Sequence, residues 1–377
     1  MFNPINYLIT RIRGRRLFKD PCDIKKRVAI LNFSYGNFNF GAILLSYASQ
    51  SVLGKLGYTP YILNFNPEFK NYWRLSRIRG NIAGINFSVF RYKYLNTTRI
   101  YYNYKSLLKS NGDFSTFIFG SDQIWRYAIT KGDYGIYFGN FARGDKRLVA
   151  YAASFGKDRW DEAPQHVTAD VKNLLKPFKG VSMREDSGVK ICKDVFGVEA
   201  EHVLDPTLLL DAADYEPIYR QSRVVLPRKY AAVMLFDDTQ LSREVIEALG
   251  RVYGVEFICI TAKSIKIFGR SRTFYRPVAD WLCLLKNAEF VLTNSFHCCA
   301  FSILFRRQFV CLGTSTRGNS RLESLFKQLG TGDRMADSAE RARALMEKKI
   351  DYDAVFRLLG EWRGKSLEVL KHALSCK

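Results

Sequence analysis

A single histidine lies between a predicted strand and a predicted helix. Residues 289–305 read EFVLTNSFHCCAFSILF, and His297 is one of four histidines in 377 residues. An apolar run and three polar residues come before it, and the small residues 298–300 follow it. Because imidazole titrates near neutral pH, His297 is a candidate general acid and base. The alternative is a histidine that caps the strand and hydrogen-bonds to the backbone.

Polar residues follow six of the predicted strands, at residues 37–39 with 41, 120–123, 154–156, 184–185, 205–207 and 294–297. In open parallel sheets, ligands bind beyond the carboxyl ends of the strands. We therefore expect these residues to build a ligand site between two domains.

The strands themselves are short apolar runs that end in turns and are separated by stretches of helical character. In the first part of the chain they cover residues 27–33, 59–65, 114–119, 147–154, 180–183 and 201–204. The series restarts near Tyr230, with runs at 230–236, 256–261, 290–293 and 308–312. Continuous apolar strands that alternate with helices predict parallel sheets covered on both faces. The sequence therefore predicts an α/β protein with two Rossmann-like domains facing across a cleft, and with C-terminal helices.

Domain limits follow from composition and from helix breakers. Pro217 and Pro227 interrupt helical continuity where the first series of strands ends. We predict a basic amphipathic N-terminal segment (1–27), an N-terminal Rossmann-like domain (28–211), a C-terminal Rossmann-like domain (212–336) and C-terminal helices (337–377). Residues 67–112 have no clear period, and we interpret them as a basic, aromatic insertion in the first domain.

The composition is that of a folded protein. Hydrophobic residues make up 47% of the chain and aromatic residues 14%, which excludes a disordered chain. No apolar run reaches the ~18 residues that cross a bilayer, and we expect no secretory signal. The eight cysteines have neither disulfide-framework nor zinc spacing. We therefore expect free thiols and a cytoplasmic location.

The net charge of +22 implies an anionic partner or surface. Residues 1–27 carry eight Lys or Arg against Asp20 and Asp23, and residues 67–112 carry nine against Glu68. Nucleic acid, an anionic membrane face or a phosphorylated substrate would fit, but no nucleic-acid-binding motif is present. Apolar residues mixed with arginines in segment 1–27 favour peripheral contact with the inner face of the plasma membrane. The alternative is a plain solvated basic surface.

Several segments, taken in order, resemble the polysaccharide pyruvyl transferase family. They are YGNFNFGAILLSYA (35–48), FIFGSDQIW (117–125), AYAASFG (150–156), VSMREDSG (181–188), HVLDPTLLL (202–210), VLTNSFHCCAFSILF (291–305) and TSTRGNSRLESLFKQLG (314–330). The resemblance implies a two-domain fold of the GT-B kind and transfer of the pyruvyl group of phosphoenolpyruvate to sugar hydroxyls. The product would be a pyruvate ketal on a polysaccharide or on a lipid-linked oligosaccharide precursor. Phosphoenolpyruvate is the donor substrate, and no other cofactor is implied.

The resemblance also implies an arginine that binds the donor. Arg184, in the segment VSMREDSG, matches the family's donor-binding arginine. Guanidinium groups pair with carboxylate and phosphate through two parallel hydrogen bonds, which suits this donor. The alternative is an arginine that pairs structurally with Glu185 or Asp186.

Around the histidine the chain departs from the family pattern. Many members carry Arg-Leu-His where this chain has Ser295, Phe296 and His297, so one donor-binding arginine is missing here. Arg321 is the best replacement, and Arg317 is its rival. A helix that starts after His297 would also offer free N–H groups to the same anion.

Three residues are expected at the sugar acceptor. Asp122 either orients a hydroxyl or caps the next helix, and Asn37 and Asn39 either bind sugar hydroxyls or shape the turn. No metal is expected, because the only D-x-D, residues 351–353, lies in the helical tail.

Two other functions stay open from the sequence alone. One is a GT-B glycosyltransferase that uses a nucleotide sugar. The other is of a different class, a non-catalytic nucleic-acid- or membrane-binding protein, for which the charge is the sole support. Binding of a nucleotide instead of phosphoenolpyruvate would favour the first, and salt-sensitive DNA binding without any sugar product would favour the second.

Overall fold

The structure is a computed structural model, which describes residues 23–35, 38–67, 84–267, 270–313 and 318–375. Most of the basic segment 1–27, and the part of the insertion that precedes Gly84, therefore lie outside the described residues. The described chain divides into two compact units. The first unit holds the residues up to Leu209 together with those from Trp362 onward, and the second unit is Leu210–Glu361.

Within the described residues, the first unit contains a six-stranded parallel sheet in the order β2-β1-β3-β4-β5-β6. Its strands are β1 (Arg27–Leu31), β2 (Thr59–Ile62), β3 (Thr116–Phe119), β4 (Arg147–Ala153), β5 (Phe178–Met183) and β6 (Glu201–His202). Helices cover both faces, and accordingly β3 is buried at every position. The chain leaves β1 toward β2 on one side and β3 on the other, so the topological switch point lies between β1 and β3.

The α-helices described in the first unit follow its strands. They are α1 (Phe40–Lys55), α2 (Ile85–Tyr94), α3 (Tyr104–Leu107), α4 (Tyr127–Thr130), α5 (Tyr134–Tyr137), α6 (Gln165–Leu175) and α7 (Asp186–Ile191). Helix α1 is apolar almost all round and accordingly is buried along most of its length. Its first turn is closed by Asn39, whose side chain accepts a hydrogen bond from the Ala42 N–H at 3.0 Å.

The second unit has a parallel sheet in the order β13-β12-β11-β7-β8, and a separate antiparallel pair, β9 and β10. The strands are β7 (Tyr230–Met234), β8 (Glu256–Cys259), β9 (Ala262–Ile267), β10 (Arg270–Tyr275), β11 (Phe290–Thr293), β12 (Gln308–Leu312) and β13 (Met335–Ala336). Here the switch point lies between β7 and β11, which pair from Phe290 with Ala231 to Thr293 with Met234.

The remaining α-helices are α8 (Glu216–Tyr219), α9 (Gln240–Tyr253), α10 (Val278–Asn287), α11 (Phe296–Leu304), α12 (Ser320–Leu329), α13 (Ala339–Glu347) and α14 (Tyr352–Ser375). The residues of α14 from Trp362 onward belong to the first unit. There the Ser366 hydroxyl accepts from the Leu204 N–H at 2.9 Å, and Arg363 Nε donates to the Leu208 carbonyl at 2.7 Å. These bonds fasten the C-terminal helix beside the end of β6.

The predicted α/β class, with two Rossmann-like parallel sheets and C-terminal helices, is confirmed. Several local details differ from the prediction, and most predicted runs are longer than the strands; β2, for example, ends at Ile62 where a run to residue 65 was predicted. Strand β6 is only two residues long where a run of four was predicted, and the β9–β10 pair was not predicted. Among the described residues, no helix combines the length and the apolar character that a membrane span requires.

Candidate active site at the strand ends

The turn that precedes His297 is fixed to the neighbouring strand at the switch point of the second unit. Thr293 Oγ1 donates to the Met234 carbonyl at 2.8 Å, and the Phe236 N–H donates to Asn294 Oδ1 at 3.0 Å. The ends of β7 and β11 are therefore tied together just before α11 begins. The backbone that carries His297 has little freedom as a result.

His297 is the second residue of α11. Ser295 precedes the helix as its N-cap and accepts a hydrogen bond from the Cys298 N–H at 3.5 Å. The imidazole is 7% exposed, and its ring stands edge-on to the Phe296 ring with 5.3 Å between centroids. The imidazole thus lies almost buried at the carboxyl edge of the sheet, where a ligand is expected.

The thiols after His297 are part of the packing. Cys298, Cys299 and Ala300 are fully buried. Burial raises the pKa of the Cys298 thiol to about 12, and it raises the pKa of Cys299 as well. Both thiols therefore stay protonated at neutral pH and act as small apolar side chains.

Arg321 lies at the same edge of the second sheet as His297. Helix α12 follows β12, the parallel neighbour of β11, and Arg321 is its second residue. Helices α11 and α12 are in contact, and Arg321 is 9% exposed. An imidazole, a guanidinium and two helix N-termini at one strand edge form a combination suited to an anion. Arg317, the rival arginine, lies outside the described residues.

Arg184 lies among carboxylates in the first unit. It follows β5, and its Nη1 lies 2.9 Å from Asp205 Oδ2 and its Nη2 3.4 Å from Asp122 Oδ1. Its Nε lies 3.8 Å from Glu185 Oε2. Burial by itself lowers the pKa of Arg184, but the carboxylates of Asp205, Asp122 and Glu185 raise it above the ordinary value. The guanidinium is charged and has three carboxylates around it.

Backbone and hydroxyl groups hold the carboxylates of this cluster. Asp205 Oδ2 accepts from the Ser121 hydroxyl at 2.8 Å, and Asp205 Oδ1 accepts from the Thr207 N–H at 3.0 Å and its hydroxyl at 2.7 Å. Glu185 Oε1 accepts from the Phe155 N–H at 2.9 Å. The ends of β3, β4, β5 and β6 thus converge on one buried ionic network. The Glu185 alternative for Arg184 is observed, and the network extends well beyond it.

Asp122 is the least buried carboxylate of this network. It is 7% exposed, against 0% for Glu185 and 1% for Asp205. Its Oδ1 accepts from the N–H of Gln123 at 2.9 Å. It caps no helix, because α4 begins at Tyr127 with Arg126 in the cap position. The capping alternative is therefore not observed, and Asp122 pairs with Arg184 instead.

The loop after β1 holds the other candidate acceptor residues. Asn39 is exposed and caps α1, so the structural alternative is observed for its side-chain oxygen. Asn37 lies outside the described residues. Sequence reasoning missed Asn32, which is 1% exposed at the end of β1 and donates to Ser46 Oγ at 3.1 Å. A polar residue that closes an apolar run, as Asn32 does, is the signal that could have found it.

In the part of the chain that the structure describes, no group of three or more His, Cys, Asp or Glu is arranged to hold a metal ion. The chemistry available at the two strand edges is that of an imidazole, guanidinium groups and a carboxylate.

The profile of the polysaccharide pyruvyl transferase family matches residues 39–316, well over half of the chain. The match includes the ends of the parallel strands from β3 to β12, with His297, Arg184 and Asp122. The chain belongs to the polysaccharide pyruvyl transferase family. It is thus a transferase that acts in the pyruvylation of polysaccharides.

Solved structures of low identity also align with most of the chain. UDP-GlcNAc 2-epimerase from Methanocaldococcus jannaschii is 11% identical, with 86% of this chain and 92% of that chain covered and a TM-score of 0.47. S. aureus MnaA with UDP is 11% identical, with 89% and 90% covered and a TM-score of 0.48. Arabidopsis thaliana UGT89C1 with UDP is 11% identical, with 92% and 99% covered and a TM-score of 0.48. A search of curated protein sequences found no match.

Proposed function

We propose that the protein transfers the pyruvyl group of phosphoenolpyruvate to two hydroxyls of one sugar and forms a cyclic ketal. The acceptor is a sugar of a polysaccharide or of its lipid-linked precursor. Family membership supports pyruvyl transfer. The observation that carries the donor assignment is the almost buried imidazole of His297 at the sheet edge where the helix of Arg321 also begins.

The donor is a small anion that carries up to about three negative charges, so it needs concentrated positive groups. Arg321 supplies a guanidinium, and the N-terminus of α11 supplies backbone N–H groups close to Ser295. Phe296, which is 5% exposed, offers an apolar wall for the methylene group. We assign Arg321, Ser295 and Phe296 to donor binding on this basis.

His297 serves the two proton transfers. Its imidazolium gives a proton to the methylene carbon, and an acceptor hydroxyl oxygen bonds to the central carbon. The neutral imidazole then takes the proton of that hydroxyl. Phosphate leaves as the second hydroxyl closes the ring, and the proton of that hydroxyl passes to the departing phosphate, so that one donor and one diol yield one ketal and one hydrogen phosphate. A group that titrates near neutrality can both donate and accept a proton without a large change in its pKa.

The acceptor is assigned to the strand edge of the first unit. Asp122, the least buried carboxylate of the ionic network, accepts a hydrogen bond from a sugar hydroxyl, and Asn37 and Asn39, in the segment after β1, are assigned to other hydroxyls of the same sugar. Sequence reasoning assigned Arg184 to the donor. Its three carboxylate neighbours favour a different role, in which Arg184 holds Asp122 in position.

The test is incubation of the protein with phosphoenolpyruvate and candidate sugars, free and lipid-linked, followed by measurement of phosphate release and of the product's mass. The wild type should release phosphate and add one pyruvyl group as a ketal. His297→Ala should lower kcat by roughly a hundredfold to ten-thousandfold with an unchanged melting temperature. Full activity in that variant would remove His297 from the chemistry. Stabilisation by a nucleotide sugar and none by phosphoenolpyruvate would instead support a glycosyltransferase.

A further inference from the structure

Helix α2 is apolar on its buried face and also on its exposed face. Phe87 and Phe90 are buried, whereas Ile85, Val89 and Tyr92 are 46%, 56% and 46% exposed. Steps of four and three residues place these exposed side chains on one stripe along the helix, opposite the buried pair. We call Ile85, Val89 and Tyr92 the α2 stripe. An apolar stripe that faces water is unfavourable, and such a surface marks a contact with something else.

Helix α2 packs beside the proposed acceptor loop through the face opposite the α2 stripe. On its buried face the Phe87 ring meets the Phe40 ring at the start of α1, with 4.8 Å between centroids. Arg91 Nε donates to the Ser34 carbonyl at 2.6 Å, in the loop that follows β1. That loop leads through Phe38, which is 42% exposed, to Asn39. A surface that covers the α2 stripe therefore lies about one helix diameter, roughly 10 Å, from the acceptor loop.

The stretch of sequence that carries the α2 stripe is basic. Residues 84–112 contain five basic residues, Arg91, Lys93, Arg99, Lys105 and Lys109, and neither Asp nor Glu. Each Lys or Arg near an anionic membrane surface contributes about 1 kcal/mol of attraction. A helix that binds at the membrane–water interface combines apolar side chains, which enter the lipid, with flanking cations, which contact the lipid phosphates.

We propose that the α2 stripe docks the protein on an anionic bilayer surface and holds the acceptor loop there, so that the acceptor sugar is presented on a lipid carrier. The assignment of a lipid-linked acceptor rests on the proposed function, whereas the docking itself does not. A nucleic acid would use the cations but gain nothing from Ile85 and Val89. A second copy of this chain would bring two sets of like charges together, which is unfavourable at a symmetric interface.

The first experiment compares two matched substitutions in the full chain. Val89 on α2 is 56% exposed, and Val252 on α9 in the second unit is 57% exposed, so Val89→Asp and Val252→Asp place the same charge in equally exposed helix positions. Both are sedimented with vesicles of phosphatidylcholine, with and without phosphatidylglycerol. Val89→Asp should weaken binding to the anionic vesicles by about tenfold or more, because the lost apolar burial and the new negative charge act together. Val252→Asp should bind like the wild type.

A second measurement separates the α2 stripe from the basic segment 1–27, which can also attract vesicles. Val89→Trp and Val252→Trp are mixed with anionic vesicles that contain brominated lipids, which quench tryptophan at the interface. Quenching should rise above the wild-type level in Val89→Trp alone. Equal quenching in the two variants, or equal binding of the two Asp variants, overturns the proposal. So does a dimer that Val89→Asp dissociates while vesicle binding is unchanged.

Activity measurements separate the failure of this inference from the failure of the proposed function. Val89→Asp should equal the wild type on a water-soluble sugar acceptor and lose activity on a lipid-linked acceptor in vesicles. Equal activity on both acceptors contradicts the docking role. Vesicle binding through the α2 stripe by a wild type that forms no ketal would contradict the proposed function and leave the docking surface in place.

Discussion

Arg184 is a buried charge, and two of its three carboxylate partners come from other strand ends. Its side chain is 0% exposed, and Asp205, Asp122 and Glu185 surround it. A buried ion pair contributes little net stability. Removal of one of its members is costly, because the other charge is then left unpaired in the protein interior, which solvates it poorly. With three carboxylates around one guanidinium, loss of the cation is the more damaging change.

Arg184→Ala should therefore lower the free energy of unfolding by about 3–5 kcal/mol. Arg184→Lys should recover only part of this loss, because an ammonium group cannot bond three separate carboxylates as a guanidinium does. Chemical denaturation measures both changes. Arg159→Ala is the control, since the Arg159 side chain is 74% exposed and its ion pairs are worth at most about 1 kcal/mol. A stable Arg184→Ala protein with a raised KM for phosphoenolpyruvate would support donor binding by Arg184 instead.

The sequence could locate Arg184 and one partner, Glu185, but not Asp205 or Asp122. The carboxyl ends of parallel strands were predictable from apolar runs, and they placed Arg184, Asp122 and His297 at strand edges. Which polar groups meet at an edge depends on strand order, and Arg184 reaches Asp205 and Asp122 across 21 and 62 residues of chain. From the sequence alone, only its neighbours Glu185 and Asp186 could be weighed as partners.

Among the elements, the turn after β3 depends on one glycine. Gly120 has a φ of +132°, and a Cβ built on it would lie 2.1 Å from the Tyr151 carbonyl oxygen in β4. Only glycine allows β3 and β4 to approach each other so closely at this point. The backbone of Ser121 and Asp122 follows directly, so this approach also sets where Asp122 lies.

Gly120→Ala should lower the free energy of unfolding by about 2 kcal/mol or more, because it combines a clash with an unfavourable φ. It should also reduce activity through displacement of Asp122. Thermal unfolding and phosphate release measure the two effects. Gly112→Ala serves as the control, since a Cβ there would meet nothing within 4 Å and should leave stability almost unchanged or slightly higher. Wild-type stability in Gly120→Ala would mean that β3 and β4 adjust easily.

Elements with continuous apolar character were predicted well, and those without it were not. Strands β7 and β11 were predicted to within about two residues at each end, because a strand buried on both faces is apolar throughout. The β9–β10 pair was missed, since residues 262–275 mix charged, hydroxyl and apolar residues and no long apolar run forms. A pairing of two such strands depends on register and on a turn, which a search for apolar runs does not detect.

At the scale of the whole molecule, the proposal divides the substrates between the two units. Arg321 and His297 belong to the sheet edge of the second unit, and Asp122, the least buried carboxylate of its network, belongs to the first. A carboxylate repels an anionic donor but accepts hydrogen bonds from a neutral sugar, whereas a guanidinium attracts the donor. The sequence placed these residues at strand ends, and the sign of the charge at each edge became visible only in the structure.

Kinetic constants for the two substrates should therefore separate by unit. Arg321→Ala should raise the KM for phosphoenolpyruvate by about tenfold to a hundredfold, the loss of one charge-assisted contact, and leave the KM for the acceptor unchanged. Asp122→Asn should raise the KM for the acceptor and leave the KM for phosphoenolpyruvate unchanged. Arg251→Ala is the control for the lost positive charge, because the Arg251 side chain is 75% exposed on α9 in the second unit. A rise in the acceptor KM alone for Arg321→Ala, or in the donor KM alone for Asp122→Asn, would show that the two substrates bind at the opposite edges from those assigned.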